Sequence, residues 1–173
     1  MKRFLLTIFL MTLTACVSIP DKVHPVNNFK IEKYLGKWYE IARLDNRFER
    51  GLEQISAEYS LNPDGSLKVL NKGYSTEDKQ WKEAEGKAYF VEEQDKGYLQ
   101  VSFFGPIYSA YIVFELDHDN YQYALISGYD KSYFWLLARQ PKIPENLKSV
   151  LLAKAASLGF DTSKLIYPEQ KQP

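Results

Sequence analysis

From Phe29 onward apolar and polar residues alternate in short runs, and clusters of turn-forming residues separate the runs. A period of two sends successive side chains to opposite faces of an extended chain. The pattern therefore predicts strands over 37–44, 55–61, 67–74, 84–91, 98–103, 111–116, 121–127 and 132–139. Between them lie the turn sequences Asn62-Pro63-Asp64-Gly65, Asp95-Lys96-Gly97, Asp117-His118-Asp119-Asn120 and Gly128-Tyr129-Asp130-Lys131. Eight strands joined in simple succession predict an all-β fold, an eight-stranded up-and-down antiparallel barrel whose closure removes exposed sheet edges. A two-sheet sandwich is the rival; the short consecutive connections favour the meander over Greek-key crossings. After the last strand, Pro144 opens a helix with Leu147, Val150, Leu151 and Leu158 on one face and Gly159 as its stop. That stripe needs a partner, and the outer wall of the barrel supplies one, with 165–167 following as a short ninth strand or edge.

Where one row of a strand is clearly apolar, it faces inward. Ile55, Ala57, Tyr59 and Leu61 form such a row in the second strand, and Leu99, Val101 and Phe103 in the fifth. In the fourth, the inward residues Ala84, Gly86 and Ala88 are small and leave space. The sixth to eighth strands are apolar on both rows, so periodicity cannot orient them. Eight strands enclose either a packed core or one small ligand, and the small residues favour a cavity.

Following a closed meander up and down brings its two ends together. Trp38, near the start of the first strand, then meets Arg139, at the finish of the eighth. A guanidinium over an indole face is worth about 0.5–2 kcal/mol, and the pair closes one end of the barrel. Gly36 permits close approach there, and the turn carrying Asp117 belongs to the same end. Glu40 shares parity with Trp38 and faces inward, where a bare carboxylate is costly; Arg139 or bound water is its expected partner. Loops 45–53, 75–83, 104–109 and 128–131 fall at the opposite, open end. They carry Phe48, Trp81, Phe104, Ile107, Tyr108 and Tyr129, an apolar set that suits a membrane-docking rim, a dimer surface or a lid.

The start of the chain is a separate object. Met1-Lys2-Arg3 is basic and Phe4 to Leu13 is an apolar run of about ten residues, too short to span a bilayer. This predicts a signal peptide over 1–15. Residues 16–28 read as the N-terminal cysteine and a tether, whose residues 17–28, with Pro20 and Pro25 and no period, reach roughly 40 Å when extended. The barrel and helix take up 29–173.

Composition changes the picture in three places. Thirteen Tyr, ten Phe and three Trp are many for 173 residues and suit strands and apolar pockets. Twenty-two basic residues balance 22 acidic ones and are interleaved with them, which leaves no basic field to hold a nucleic acid. His24 and His118 are far apart and Cys16 is the lone cysteine, so no catalytic triad, metal cluster or cofactor site is evident.

Several motifs carry a family resemblance. Leu13-Thr14-Ala15-Cys16 resembles the lipobox of bacterial lipoproteins, in which the cysteine is acylated and becomes the mature N-terminus. Loss of Lys2 and Arg3 leaves 20 basic side chains against 22 acidic ones. Val17, where aspartate favours retention at the inner membrane in such lipoproteins, points to the outer membrane. Gly36-Lys37-Trp38, Leu116-Asp117 in the sixth-to-seventh turn and Arg139 resemble, in order, the three motifs of the lipocalins. The stretches "NNF", "YLGKWYEIAR", "RFERGLE", "NKGY", "EGKAYF" and "VSFFGP" strengthen the likeness, which runs from about Phe29 to Tyr167. One departure is Leu116-Asp117-His118, where the family usually has Thr-Asp-Tyr; Asp117 keeps its role of receiving turn amides.

The resemblance also orients the ambiguous strands, placing Tyr111, Val113, Ala124, Ile126, Tyr133 and Trp135 inward. With Ala57, Tyr59, Val69, Asn71, Ala84, Gly86, Ala88, Val101 and Phe103 they line an apolar ligand pocket. It implies fatty acids or lysophospholipids as ligands, a homodimer, attachment to outer-membrane lipid through Cys16 with the barrel in the periplasm, and a part in membrane maintenance under stress. Arg47 and Arg50, beside Phe48 at the mouth, either meet a lipid phosphate or belong to a solvated loop. About sixteen buried methylenes contribute roughly 13 kcal/mol gross, which association costs reduce to micromolar or tens-of-nanomolar affinity. An enzyme acting on a lipophilic ligand and a structural lipoprotein with a filled barrel are the alternatives.

Overall fold

The computed structural model describes residues 18–171; the signal peptide and Cys16 lie outside the described residues. Eight strands, β1 (Gly36–Arg43), β2 (Leu52–Leu61), β3 (Leu67–Ser75), β4 (Gln80–Phe90), β5 (Tyr98–Phe104), β6 (Ile107–Leu116), β7 (Tyr123–Ser127) and β8 (Phe134–Ala138), follow one another around a closed barrel. Each pairs antiparallel with the next, and β8 returns to β1 with Tyr39 opposite Ala138. This is the meander, and the sandwich is excluded.

Two apolar clusters divide the molecule. The inner one joins Ala57, Tyr59, Leu99, Val113, Ala124 and Ile126 inside the barrel. The outer one packs Ile112, Phe114, Leu125, Phe134 and Leu136 against α2 (Glu145–Ser157) and Phe160. Both rows of β6 to β8 are therefore apolar for a simple reason: one row faces the interior and the other faces the helix. The buried stripe of α2 runs through Leu151 and Ala155, with Leu147 and Leu158 beside it. Val150, expected on that stripe, is exposed. Gly159, at φ +91°, ends the helix in a conformation that glycine adopts without strain. The expected ninth strand is a single bridge between Arg43 and Ile166.

The N-terminal segment departs from its reading as a tether. Val23 is buried in the outer cluster, Val26 N–H donates to Val113 O at 2.9 Å, and Gly97 N–H donates to Val26 O at 2.8 Å. The segment lies on the barrel because its few apolar residues find partners there, a contact that no local period announces. A short helix, α1 (Ile31–Tyr34), then crosses the closed end and was absent from the strand pattern.

Strand starts also differ, most at β2, β4 and β6, the last beginning at Ile107 where 111 was predicted. β2 begins at Leu52 and carries a register shift between Glu53 and Ser56, with Gln54 at φ +54°. β4 begins at Gln80, four residues ahead of the predicted start, because its first half hydrogen-bonds to β3 while both of its faces stay exposed. Trp81 consequently sits on the outer wall. Its ring meets Tyr74 at 5.6 Å and Lys72 Nζ at 5.2 Å on the outer face, and it does not border the cavity.

Candidate ligand-binding site

The closed end is built from β1, β8 and α1. Arg139 Cζ stands 4.0 Å over the Trp38 ring, which is fully buried. The guanidinium donates to Lys37 O (2.8 Å), Lys33 O (2.7 Å) and Leu35 O (2.9 Å), and its Nε donates to Tyr121 O at 3.3 Å. It thus satisfies the carbonyls at the end of α1 while sealing the floor. Gly36 stands at φ +89°, and a Cβ there would lie 3.6 Å from Arg139 Nη1. Asp117 receives the Asn120 and Gln122 amides at 3.3 and 3.2 Å and shapes the β6–β7 turn at the same end. On the inner side of the floor, Trp38 Nε1 donates to Tyr34 O at 2.8 Å, and the Tyr34 ring lies tilted, 4.7 Å from the ring of Trp38 and 5.1 Å from that of Phe29.

Above this floor is a cavity of about 640 Å³ that reaches the open end. Ala57, Tyr59, Val69, Asn71, Ala84, Ala88, Val101, Phe103, Tyr111, Tyr133 and Trp135 all border it. Four residues expected in the lining do not. Val113, Ala124 and Ile126 belong to the inner cluster and are fully buried, but do not border the cavity. Gly86 is covered by Phe103, whose ring would stand 2.8 Å from a Cβ at that position; the space left by the missing side chain is filled by a neighbour.

The wall near the mouth holds a charged cluster that alternation could not reveal. β1 shifts register between Glu40 and Ala42, so that Ala42 opposes Leu136 of the outer cluster and Arg43 opposes Trp135 of the inner one. One extra residue exchanges the two faces of a strand, and Arg43, outward by parity, becomes a 2% exposed inward residue. It pairs with Glu40 at 2.7 Å, and its Nη2 donates to Glu49 O at 2.9 Å. Glu40 therefore has Arg43 as its partner; Arg139, proposed from parity, is committed to the floor. Burial, reinforced by the charge of Glu49, holds the Glu40 carboxyl well above its ordinary range, while Arg43 acts in the opposite sense.

Glu49 ties the β1–β2 loop to the cavity wall. Its carboxylate accepts Trp135 Nε1–H at 3.0 Å and also the Asn46 side-chain amide. Asn46 Oδ1 in turn receives the backbone N–H of Phe48 and Glu49 at 3.1 and 3.2 Å. Arg43, Asn46 and Glu49 were not among the sequence candidates; an arginine inside the alternating "EIAR" was the available sign. Beyond them, Arg47 lies 4.8 Å over the Phe48 ring, and Arg50 grips Asp45 through Nε and Nη2 at 2.9 and 2.7 Å. All three mouth candidates, Arg47, Phe48 and Arg50, border the cavity.

A closed eight-stranded meander with a sealed floor, an open mouth, an apolar interior and one helix on its wall defines a lipocalin-type binding protein. Residues 29–170 match the Lipocalin-like domain, and the chain belongs to that family. Among its relatives is "Outer membrane lipoprotein Blc" of Vibrio cholerae, 50% identical across 99% of this chain and 100% of the relative. The protein of the same name from Escherichia coli K12 is 48% identical across 94% of this chain and 91% of its own. "Apolipoprotein D" of Macaca fascicularis is 33% identical across 90% and 82%. Insecticyanin of Manduca sexta shares the fold at a TM-score of 0.70 and 23% identity, covering 89% of this chain and 87% of its own.

Proposed function

We propose that this chain is a lipid-anchored lipoprotein of the bacterial outer membrane that binds a fatty acid or lysophospholipid and carries it for membrane maintenance under stress. The observation that carries the reading is the cavity of about 640 Å³, within the range of small-molecule sites, apolar in most of its lining and open at one end. The names borne by the bacterial relatives support the outer-membrane placement, and Cys16 is the residue that would hold the anchor. The acyl chain enters the barrel and the polar head stays at the mouth. There Arg47 offers a guanidinium to a phosphate or carboxylate, whereas Arg50 has its charge met by Asp45. In this reading the protein binds its ligand without converting it, and pairs as a homodimer, which sedimentation analysis checks.

Native mass spectrometry of the mature chain carrying Cys16→Ser, purified without detergent, followed by lipid extraction, tests the function. The expected result is one acyl lipid per barrel, absent from Val101→Trp, which fills the cavity. A wild-type barrel that arrives empty and takes up no added lipid would contradict the proposal.

A further inference from the structure

On one side of the mouth the barrel wall has a slot. β4 runs from Gln80 to Phe90, but its register with β5 covers only 87–90, opposite 99–102. Past that point the β5–β6 pair shifts register between Val101 and Phe104, and among the described residues no strand faces 80–86 on that side. Glu83 and Ala84 flank the slot on one side and Phe103, Phe104 and Ile107 on the other, and all five border the cavity. Its inner end is where the Phe103 ring covers Gly86. Cavity and slot are therefore one space.

The slot has a backbone edge. Val91 N–H donates to Tyr98 O at 3.0 Å, so Val91 turns its main-chain groups toward β5. Alternation along an antiparallel strand carries that direction back to Glu85, Glu83 and Trp81, while β3 takes the groups of the residues between them. Beside the cavity there is thus a ladder edge of N–H and C=O groups with no strand opposite. Its side chains add little net field, because Glu83 pairs with Lys72 at 2.8 Å, Glu85 with Lys68 at 2.6 Å, and Lys82 with Asp78. A ligand that leaves the cavity through the slot removes water from this edge, and each covered main-chain group then needs a partner. A carboxylate or phosphate receives the N–H groups and leaves the carbonyls bare. A peptide backbone offers donors and acceptors together, at the repeat of a strand.

We infer that the open edge of β4 is a second subsite, which takes up a short peptide as an added strand when the acyl chain on that peptide's N-terminus occupies the cavity. The ligand class is an N-acylated peptide, held through its backbone and therefore tolerant of its side chains. This rests on the acyl-carrier reading above and adds to it the chemistry of the cargo's polar end.

The test is calorimetric titration of the mature chain carrying Cys16→Ser with hexadecanoic acid, N-palmitoyl-tetraalanine and N-palmitoyl-tetrasarcosine. The two peptides are isomers, but sarcosine carries its methyl group on nitrogen and has no N–H to give. Wild type is expected to bind the alanine isomer about tenfold or more tightly than the sarcosine isomer, the worth of two or three ladder bonds. Only the alanine isomer should slow amide hydrogen exchange at Trp81, Glu83 and Glu85. Glu83→Pro removes an edge N–H that β3 does not use, and a sheet edge accepts proline. This variant should bind the alanine isomer about tenfold more weakly and the other two probes as wild type does. Should it fail to fold, the isomer pair and the exchange measurement in wild type decide alone. Equal binding of the isomers, or a preference without slowed exchange along β4, overturns the subsite, and continued uptake of hexadecanoic acid then leaves the carrier standing. A folded wild type that takes up none of the three overturns both.

Discussion

Arg139 acts as a bracket as much as a cation. Its stacking on Trp38 and its bonds to carbonyls from Lys33 to Lys37 fix α1, and with it the floor, to the ends of β1 and β8. Arg139→Met keeps much of the packing and loses the fork of donors, and should cost about 2–4 kcal/mol in urea unfolding. Arg139→Lys should recover little, because a point charge cannot span several carbonyls while lying flat on an indole. Glu40 offers a test that depends on pH. The native state holds its proton more tightly than the unfolded chain, where the ordinary value is 4.5. Its stabilising contribution is therefore complete below that value and is lost as pH rises through the native pKa. Glu40→Gln removes the titration and leaves an oxygen for Arg43. The stability of wild type relative to this variant should fall in urea unfolding as pH rises above about 4.5. Surface carboxylates held low by partners, such as Asp64 beside Lys87, are common to both chains and cancel in the difference.

Packing of β4 against β5 turns on a missing side chain. A Cβ at Gly86 would meet the Phe103 ring at 2.8 Å and Ser102 O at 2.9 Å. Gly86→Ala must displace the ring, and should destabilise the barrel by about 1–3 kcal/mol, with part recovered when Phe103→Leu is added. The residue was legible as small and inward, but a small side chain marks a cavity in one place and a close neighbour in another, and only the register distinguishes them. The same limit explains the other differences. β2 and β5 were readable because apolar and polar residues alternate along them in sequence. In β6 to β8 the helix buries the second face and erases the contrast; the family likeness supplied the orientation instead. In β1 a single inserted residue moved Arg43 inward, and alternation carries no mark of such a shift until the sheet has formed. Tyr111 was visible as an inward candidate, whereas its link to Tyr34 required α1, an element too short to show a period.

At the scale of the molecule, the path of the N-terminal segment relates the anchor to the mouth. Ser18 Oγ donates to Tyr129 O at 3.1 Å, on the β7–β8 loop at the open end. Cys16 precedes Ser18 by two residues in the sequence. The β7–β8 loop is flanked around the rim by the β5–β6 tip and the β1–β2 loop. These carry Phe104, Ile107 and Phe48, exposed by 70%, 73% and 54%. Under the proposed function, an acyl group on Cys16 therefore draws the mouth toward the lipid, and the apolar rim shields a ligand passing between membrane and cavity. This leads to a kinetic prediction. Phe104→Asp together with Ile107→Asp should slow uptake of a fluorescent lysophospholipid from anionic vesicles at least severalfold. Its equilibrium affinity for the same lipid supplied below its micellar concentration should change much less, because most of the buried contact lies deeper in the barrel. Equal losses in both measurements would assign the rim to holding the ligand; a loss confined to vesicle uptake assigns it to the membrane.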